Sequence, residues 1–424
     1  MNNTTNNYIS KYLPITMWSI CTVFYAYQYL LQVSPSVMTN NLMQSFQVNA
    51  TMLGNLAACY FYAYAGMQIP VGIICDRFGV RRPLIIASAL CAIGSIMFGC
   101  SNIFAIATMG RLLIGLGGAF AAVGTFCIAN LWLPIRLFAL FAGGIVTIGM
   151  LGAAGGQLPL ALLVNALDWR NTMMLLGGVG LIITVLMFFI LRDPVQKFPD
   201  ILQKQRMPLF NGLKQIIRNQ QIWLLAIYGG LMFMPVSVIG SLWGTPFLMH
   251  KYSISNAEAG SMIIMLFFGL AIGSPFFGWF SDRINRRKIV MLVGNLGALL
   301  CMLGIIYPQF PEYFTVVLLF LYGFFCGGFL VCFAAAREID ASKNTGVNMG
   351  FMNMLNMIGG AVIQPVVGYI LDAQWQGIME NGVRIYVIND FQIAFTIIPI
   401  CLVFALLILP SIKETHCRAI TATE

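Results

Sequence analysis

Apolar runs long enough to be membrane-crossing helices recur from near the start of this chain to near its end, and few folds can accommodate them. Each holds roughly 18 to 25 residues, enough to cross a hydrocarbon core about 30 Å thick. In lipid every backbone polar group must be paired within its own segment, so the runs are read as helices. Only 9% of the residues are charged against 59% hydrophobic, far below the roughly 25% charge of a soluble domain. The fold class is therefore an all-α polytopic membrane protein. The start, MNNTTNNYISKYLP, is polar and lacks a basic stretch, a short apolar core and a small-residue cleavage site, so no signal peptide is expected.

Twelve such segments are expected, roughly over 12–33, 51–74, 83–101, 103–127, 137–165, 171–191, 222–249, 257–280, 289–307, 313–336, 346–371 and 390–410. Between the sixth and seventh runs the longest polar stretch, with Arg192, Lys197, Lys204, Arg206, Lys214 and Arg218. It divides the chain into an N-terminal six-helix bundle (1–191), a central loop (192–221) and a C-terminal six-helix bundle with a short tail (222–424). With both termini cytoplasmic, only Arg170, Lys251 and Arg384 fall outside and Arg111 within a span; the rest of the 23 Lys and Arg lie inside. That is the positive-inside bias, so the net charge of +9 calls for a bilayer and not for nucleic acid. The 11 cysteines sit mostly within apolar runs without CxxC or zinc spacing and are read as apolar fillers. The two histidines, His250 and His416, make no histidine metal site, and no cofactor is expected.

The two halves repeat. GIICDRFGVRRP (72–83) follows the second span, and GWFSDRINRRKI (278–289) follows the eighth. Aligning Asp76 with Asp282 pairs Gly72 with Gly278, Arg77 with Arg283 and Arg81 with Arg287. Charge clusters at the same place in both halves mark parallel repeats about an axis along the membrane normal.

These residues resemble the loop motif of the major facilitator superfamily, and the resemblance covers the whole chain: twelve spans, a 6+6 division, a basic central loop and the duplicated cluster. Arg111 to Ala119 in the fourth span is similar to that family's R-x-x-x-G pattern. The fifth span has Gly149, Gly152, Gly155, Gly156 and Pro159 but lacks the G-P step of the drug–proton antiporters, which disfavours an exporter. The stretch from Ala334 to Asp372 resembles a bacterial permease branch of the superfamily whose members often lack an assigned substrate. The resemblance implies a secondary transporter working by alternating access in the inner membrane. It implies that Asp76 caps a neighbouring helix and locks the outward-facing state. Gly72, Asp76, Arg77, Gly79, Arg81, Arg82, Asp282, Arg283 and Arg287 are thus the gating candidates. Physically, a carboxylate at a helix N-terminus gains about 0.3–1 kcal/mol. For the arginines the rival reading is that they only fix topology, a role an acid does not share.

Polar residues within the spans are the substrate-binding candidates. Tyr25, Gln28, Tyr29 and Gln32 share one face of the first span; Tyr60, Tyr64 and Gln68 form a stripe on the second. Gln157 lies in the fifth, Tyr228 and Trp243 in the seventh, and Asn353, Asn356 and Gln364 in the eleventh. Interhelical hydrogen bonding is the rival role for each of them. Arg111, a basic residue well inside a span, must meet a carbonyl, a water-filled cavity or an anionic ligand. No Asp or Glu falls near the middle of a span, which disfavours a cationic drug as substrate. A proton-coupling group is sought at Arg337 and Glu338, by the end of the tenth span. No nucleotide-binding G-x-x-x-x-G-K-[ST] and no paired catalytic groups occur, so neither an ATP-driven pump nor an enzyme is expected. The expected function is monomeric transport, with uptake favoured, of a small polar solute that is neutral, zwitterionic or anionic. Amino acids, peptides, organic acids and carboxylate iron chelators qualify, with protons as a candidate coupling ion. A drug or metabolite exporter of the same fold and a transporter-like ligand sensor are the rivals.

Overall fold

The computed structural model describes the backbone of residues 2–134, 138–193, 216–339, 345–380 and 382–418. Side chains are described over 13–75, 77–134, 140–193, 216–339, 347–380 and 382–418. Most of the central loop, and the side chain of Asp76, lie outside the described residues.

The helices are α1 (Asn2–Val33), α2 (Ala50–Phe78), α3 (Arg81–Cys100), α4 (Phe104–Trp132), α5 (Leu140–Leu167) and α6 (Trp169–Ile190). There follow α7 (Gln220–Tyr252), α8 (Asn256–Ile284), α9 (Arg287–Ile306), α10 (Glu312–Ile339), α11 (Thr345–Gln374) and α12 (Ile388–Ser411). Among the described residues, 11 helical segments, α2 to α12, are long and apolar enough to cross a membrane, and α1 precedes them. A hairpin of β1 (Met379–Glu380) and β2 (Val383–Arg384), paired Met379 to Arg384 and Glu380 to Val383, joins α11 to α12. The side of the bundle carrying both termini is the terminal end, and the opposite side is the far end.

Polar residues at the turns start the helices, because their side chains take amides that have no partner in the first turn. Asn49 Oδ1 accepts from Met52 N at α2, and Asn219 Oδ1 from Gln221 N at α7. Ser255 and Glu258 form a reciprocal capping box at α8. Asp168 starts α6 with φ at 68° and accepts from Arg170 N.

Two helices depart from the regular spans read in the sequence. α5 breaks between Gly155 and Leu158, where Gln157 adopts φ −107° and ψ −106°. Pro159 lacks an amide, so it cannot continue the ladder from the preceding helix but fits the first turn of the one that resumes at Leu158. α7 contains a π-helical turn over Ile239–Trp243, one turn after Pro235. Such turns open a helix locally, and the two irregularities face one another.

The repeat seen in the sequence is also a repeat of packing. Gly115 of α4 lies on the carbonyl of Tyr60 in α2, and Gly323 of α10 lies on that of Leu266 in α8. Tyr60 and Leu266 are equivalent when Asp76 is aligned with Asp282. Lipid tails are as apolar as the helix faces, so close approach over small residues drives association. Gly115→Leu is expected to force α2 and α4 apart and to destabilise the protein by about 1–3 kcal/mol or more. Thermal unfolding of detergent-solubilised protein measures it, and an unchanged Tm would show that this contact yields.

Candidate functional site

Arg111 is wholly buried on α4. Its Nη1 donates to the carbonyl of Leu31 at 2.7 Å and its Nη2 to that of Gln32 at 3.3 Å. These carbonyls belong to the last turn of α1, which has no helical donors left and carries the negative end of the helix dipole. The guanidinium also lies 5.2 Å from the centre of the Tyr60 ring, a cation–π contact that offsets its burial. Of the partners the sequence allowed it, Arg111 meets carbonyls.

Around it the stripes of α1 and α2 join. Gln28 Nε2 donates to Tyr60 Oη and, at 3.3 Å, to Gln32 Oε1; Tyr60 Oη donates to Gln32 Oε1 at 3.2 Å. Tyr25 and Tyr29 are in edge-to-face contact at 5.0 Å and lie against Gly149 of α5. Tyr64 stacks at a tilt on Tyr60, one turn from Gln68. So Gln28 and Gln32 turn toward α2 and α4, while Tyr25 and Tyr29 turn toward α5.

On the other half, Gln364 of α11 donates through Nε2 to the carbonyl of Ser237 on α7 at 3.0 Å, and its own carbonyl accepts from Trp243 Nε1 at 3.1 Å. Asn356 is buried beside Gly229. Tyr228 points away from the other half: its Oη donates to the carbonyl of Met291 on α9 at 2.7 Å. The two halves meet at a cavity of about 10 Å³, the size of one water, lined by Tyr29, Gln32, Ser237 and Ser241 together with apolar residues.

Hydrogen bonds tie the halves together from the far end inward. Gln157, freed by the break in α5, donates to the carbonyl of Gly240 in the π turn at 2.8 Å. Its Oε1 accepts from Ser36 Oγ at 3.2 Å and Thr245 Oγ1 at 3.5 Å. Asn256 Nδ2 donates to the carbonyl of Val37, within a short turn, Ser34–Val37, that is buried throughout. Nearer the terminal end, Asn353 Nδ2 donates to Gln68 Oε1 at 2.7 Å.

At the terminal end Gly79 takes φ 77° and Asn285 takes φ 52° at the equivalent turn. Gly72 faces open space, and Arg77, Arg82 and Arg283 are exposed. Arg81 Nη2 donates to the carbonyl of Phe188 at the end of α6. Arg287 pairs with Asp282 at 2.7 Å and with Glu338 on α10, whose neighbour Arg337 is exposed. Two acids not singled out in the sequence complete this end. Asp193 Oδ1 accepts from Arg81 N, and Glu414 accepts from Arg287 N and Lys288 N. Burial raises the Glu414 carboxyl, but amides of Arg287, Lys288 and His416 outweigh it and hold the group below the usual range. The signal was present: each acid stands three residues beyond the last helical residue of its half, Ile190 or Ser411.

Comparisons with known proteins agree with this architecture. A family model described as the Major Facilitator Superfamily matches residues 17–244 and 225–416. The uncharacterized transporter YybO of Bacillus subtilis is 24% identical over 394 residues, which cover 81% of this chain and 84% of that protein. The probable sulfoacetate transporter SauU of Cupriavidus necator is 23% identical, covering 83% of this chain and 86% of its own. Among solved structures, a bacterial homolog of the human lysosomal transporter Spinster superposes with a TM-score of 0.76 at 15% identity, over 94% of this chain and 96% of that one.

Removing the Arg111 guanidinium leaves the Leu31 and Gln32 carbonyls unpaired. Arg111→Met is therefore expected to cost about 2–4 kcal/mol. Chemical denaturation in micelles reads this, and a variant as stable as the parent would deny Arg111 its part in holding α1 to α4.

Proposed function

This chain belongs to the Major Facilitator Superfamily and is a multi-pass membrane transporter, not an enzyme, and from that premise we propose that it moves a small polar organic solute across the bacterial inner membrane by alternating access. The observation that supports the substrate class is a set of buried groups without a hydrogen-bond partner among the described residues. Such groups occur elsewhere among the described residues as well, but three stand at the cavity between the halves or one hydrogen bond from its lining: Gln28 Oε1 on α1, Ser237 Oγ on α7 and Gln364 Oε1 on α11. Gln28 bonds to Gln32 and Gln364 to Ser237, and Gln32 and Ser237 line the same cavity. An unpaired buried polar group costs about 1–3 kcal/mol, a cost that a solute bound at this cavity would remove.

Two of the three are acceptors only, and the third is a hydroxyl. They suit a solute that presents hydroxyl or ammonium donors. Both Nη groups of Arg111 are engaged by α1, which leaves only its Nε to offer an anion. Neutral and zwitterionic solutes are therefore favoured over anionic ones. Both termini face the cytoplasm in this reading, the transporter works as a monomer, and uptake is favoured over export. The proton is the coupling ion to test first, with Glu338, paired to Arg287, as the titratable candidate. Asp76 and Asp282 keep the gating role assigned to them from the sequence.

A thermal-shift screen of purified protein against metabolites, followed by flux of the hits in proteoliposomes with and without a proton gradient, tests the proposal. Binding without flux would make the protein a sensor, and outward flux against a gradient would make it an exporter. Gln28→Ala and Tyr25→Phe are expected to raise the apparent KM about two- to tenfold; unchanged kinetics in both would move the site off α1. Asp76→Asn is expected to slow flux about fivefold with normal membrane insertion, and normal flux would remove its gating role.

A further inference from the structure

We propose that Asp372, at the last turn of α11, is the latch that holds the far end shut, and that it must let go of α2 in each transport cycle. One carboxylate joins four donors. Oδ2 accepts from Thr51 N at 2.9 Å and Thr51 Oγ1 at 2.5 Å, both on α2 in the first half. Oδ1 accepts from Arg384 Nη1 at 3.0 Å and Tyr386 Oη at 2.7 Å, both from the α11–α12 connection in its own half. Tyr386 Oη in turn accepts from Ala50 N at 3.2 Å.

α2 begins at Ala50, so Ala50 N and Thr51 N are first-turn amides with no acceptor in their own helix. Both find acceptors on the other half of the chain. The start of α2 carries the positive end of its dipole, which attracts a carboxylate, and bonds to a charged acceptor are about twice as strong as neutral ones. The side chain of Asp372 is 11% exposed, so water screens this attraction little.

The backbones meet at the same place. Gly368, one turn before Asp372, packs on Ala50 and Thr51, and Gly54 packs on Gln364 and Pro365. Opening the far end separates these surfaces, and with them Thr51 from Asp372. Arg384 and Tyr386 travel with α11, and Arg384 also rests on the Trp375 ring at 4.4 Å. The carboxylate thus keeps two partners of its own half when it releases α2. Such a latch breaks without leaving a bare buried charge, which is what a reversible gate needs.

The latch rests on the reading of the chain as an alternating-access transporter, but its test does not need a substrate. Hydrogen exchange of the full-length protein in lipid nanodiscs, read by mass spectrometry, reports the far end directly. Asp372→Asn is expected to speed exchange about tenfold in peptides covering 34–56 and 254–262. Peptides at the terminal end, 79–90 and 285–295, should not change. Arg384→Gln, which touches Asp372 from its own half only, should leave the start of α2 within about twofold. Should Asp372→Asn fail to fold, Thr51→Val carries the test, with at least a twofold rise expected at the far end. Unchanged far-end exchange, a rise spread over both ends, or an equal rise in Arg384→Gln would each overturn the latch. Absence of flux in the unmodified protein would instead count against the transport reading alone.

Discussion

A helix in lipid can pair every backbone group except those at its two ends, and this protein is organised around those ends. Five of the charged side chains among the described residues serve them. Arg111 serves the last carbonyls of α1, and Arg81 a carbonyl at the end of α6. Asp193 and Glu414 take first-turn amides of α3 and α9, and Asp372 takes the Thr51 amide of α2. In each case the charge has the sign opposite to the dipole it meets. In these five cases the charge comes from another helix or from the segment just past one, so satisfying one helix end also fixes its place beside another.

That arrangement separates what is rigid from what can move. Arg111, Arg81, Asp193 and Glu414 act within one half of the chain and bind its helices into a unit. Asp372 and Gln157 act between halves, Gln157 through a break in α5 that meets a π turn in α7. In the proposed alternating-access cycle, contacts of the first kind would persist throughout, whereas contacts of the second kind would be exchanged. Of the buried polar groups without a partner among the described residues, Ser237 Oγ lies at the seam between the halves, and Gln28 and Gln364 each bond to a residue that lines the cavity there.

Much of this was legible in the chain. Apolar runs located the spans, because length and hydropathy are local properties; the expected 222–249 and the observed Gln220–Tyr252 differ by a few residues. The repeat was legible too, since the pairing of Asp76 with Asp282 also aligns Tyr60 with Leu266, the two carbonyls on which glycines rest. The candidate site was read less completely. Stripe logic gathered Tyr25, Gln28, Tyr29 and Gln32 on one face, yet that face divides, the glutamines turning to α2 and α4 and the tyrosines to α5. Tyr228 resembled the other candidates in sequence and is directed into its own half. Asp193 and Glu414 stand near the ends of apolar runs, where the pattern does not say which amides lie opposite.

The sequence by itself determined that the chain is a bundle of membrane-crossing helices built as two repeats, because both follow from the local demand that lipid places on a backbone. Only the tertiary structure decided which helix end each charge serves, and so whether Arg111 binds the protein or a solute and whether Asp372 joins the halves. The reason is geometric: a charge is assigned by what lies within about 3 Å of it, and those neighbours stand from 79 residues apart, as Arg111 and Gln32 do, to 321, as Thr51 and Asp372 do.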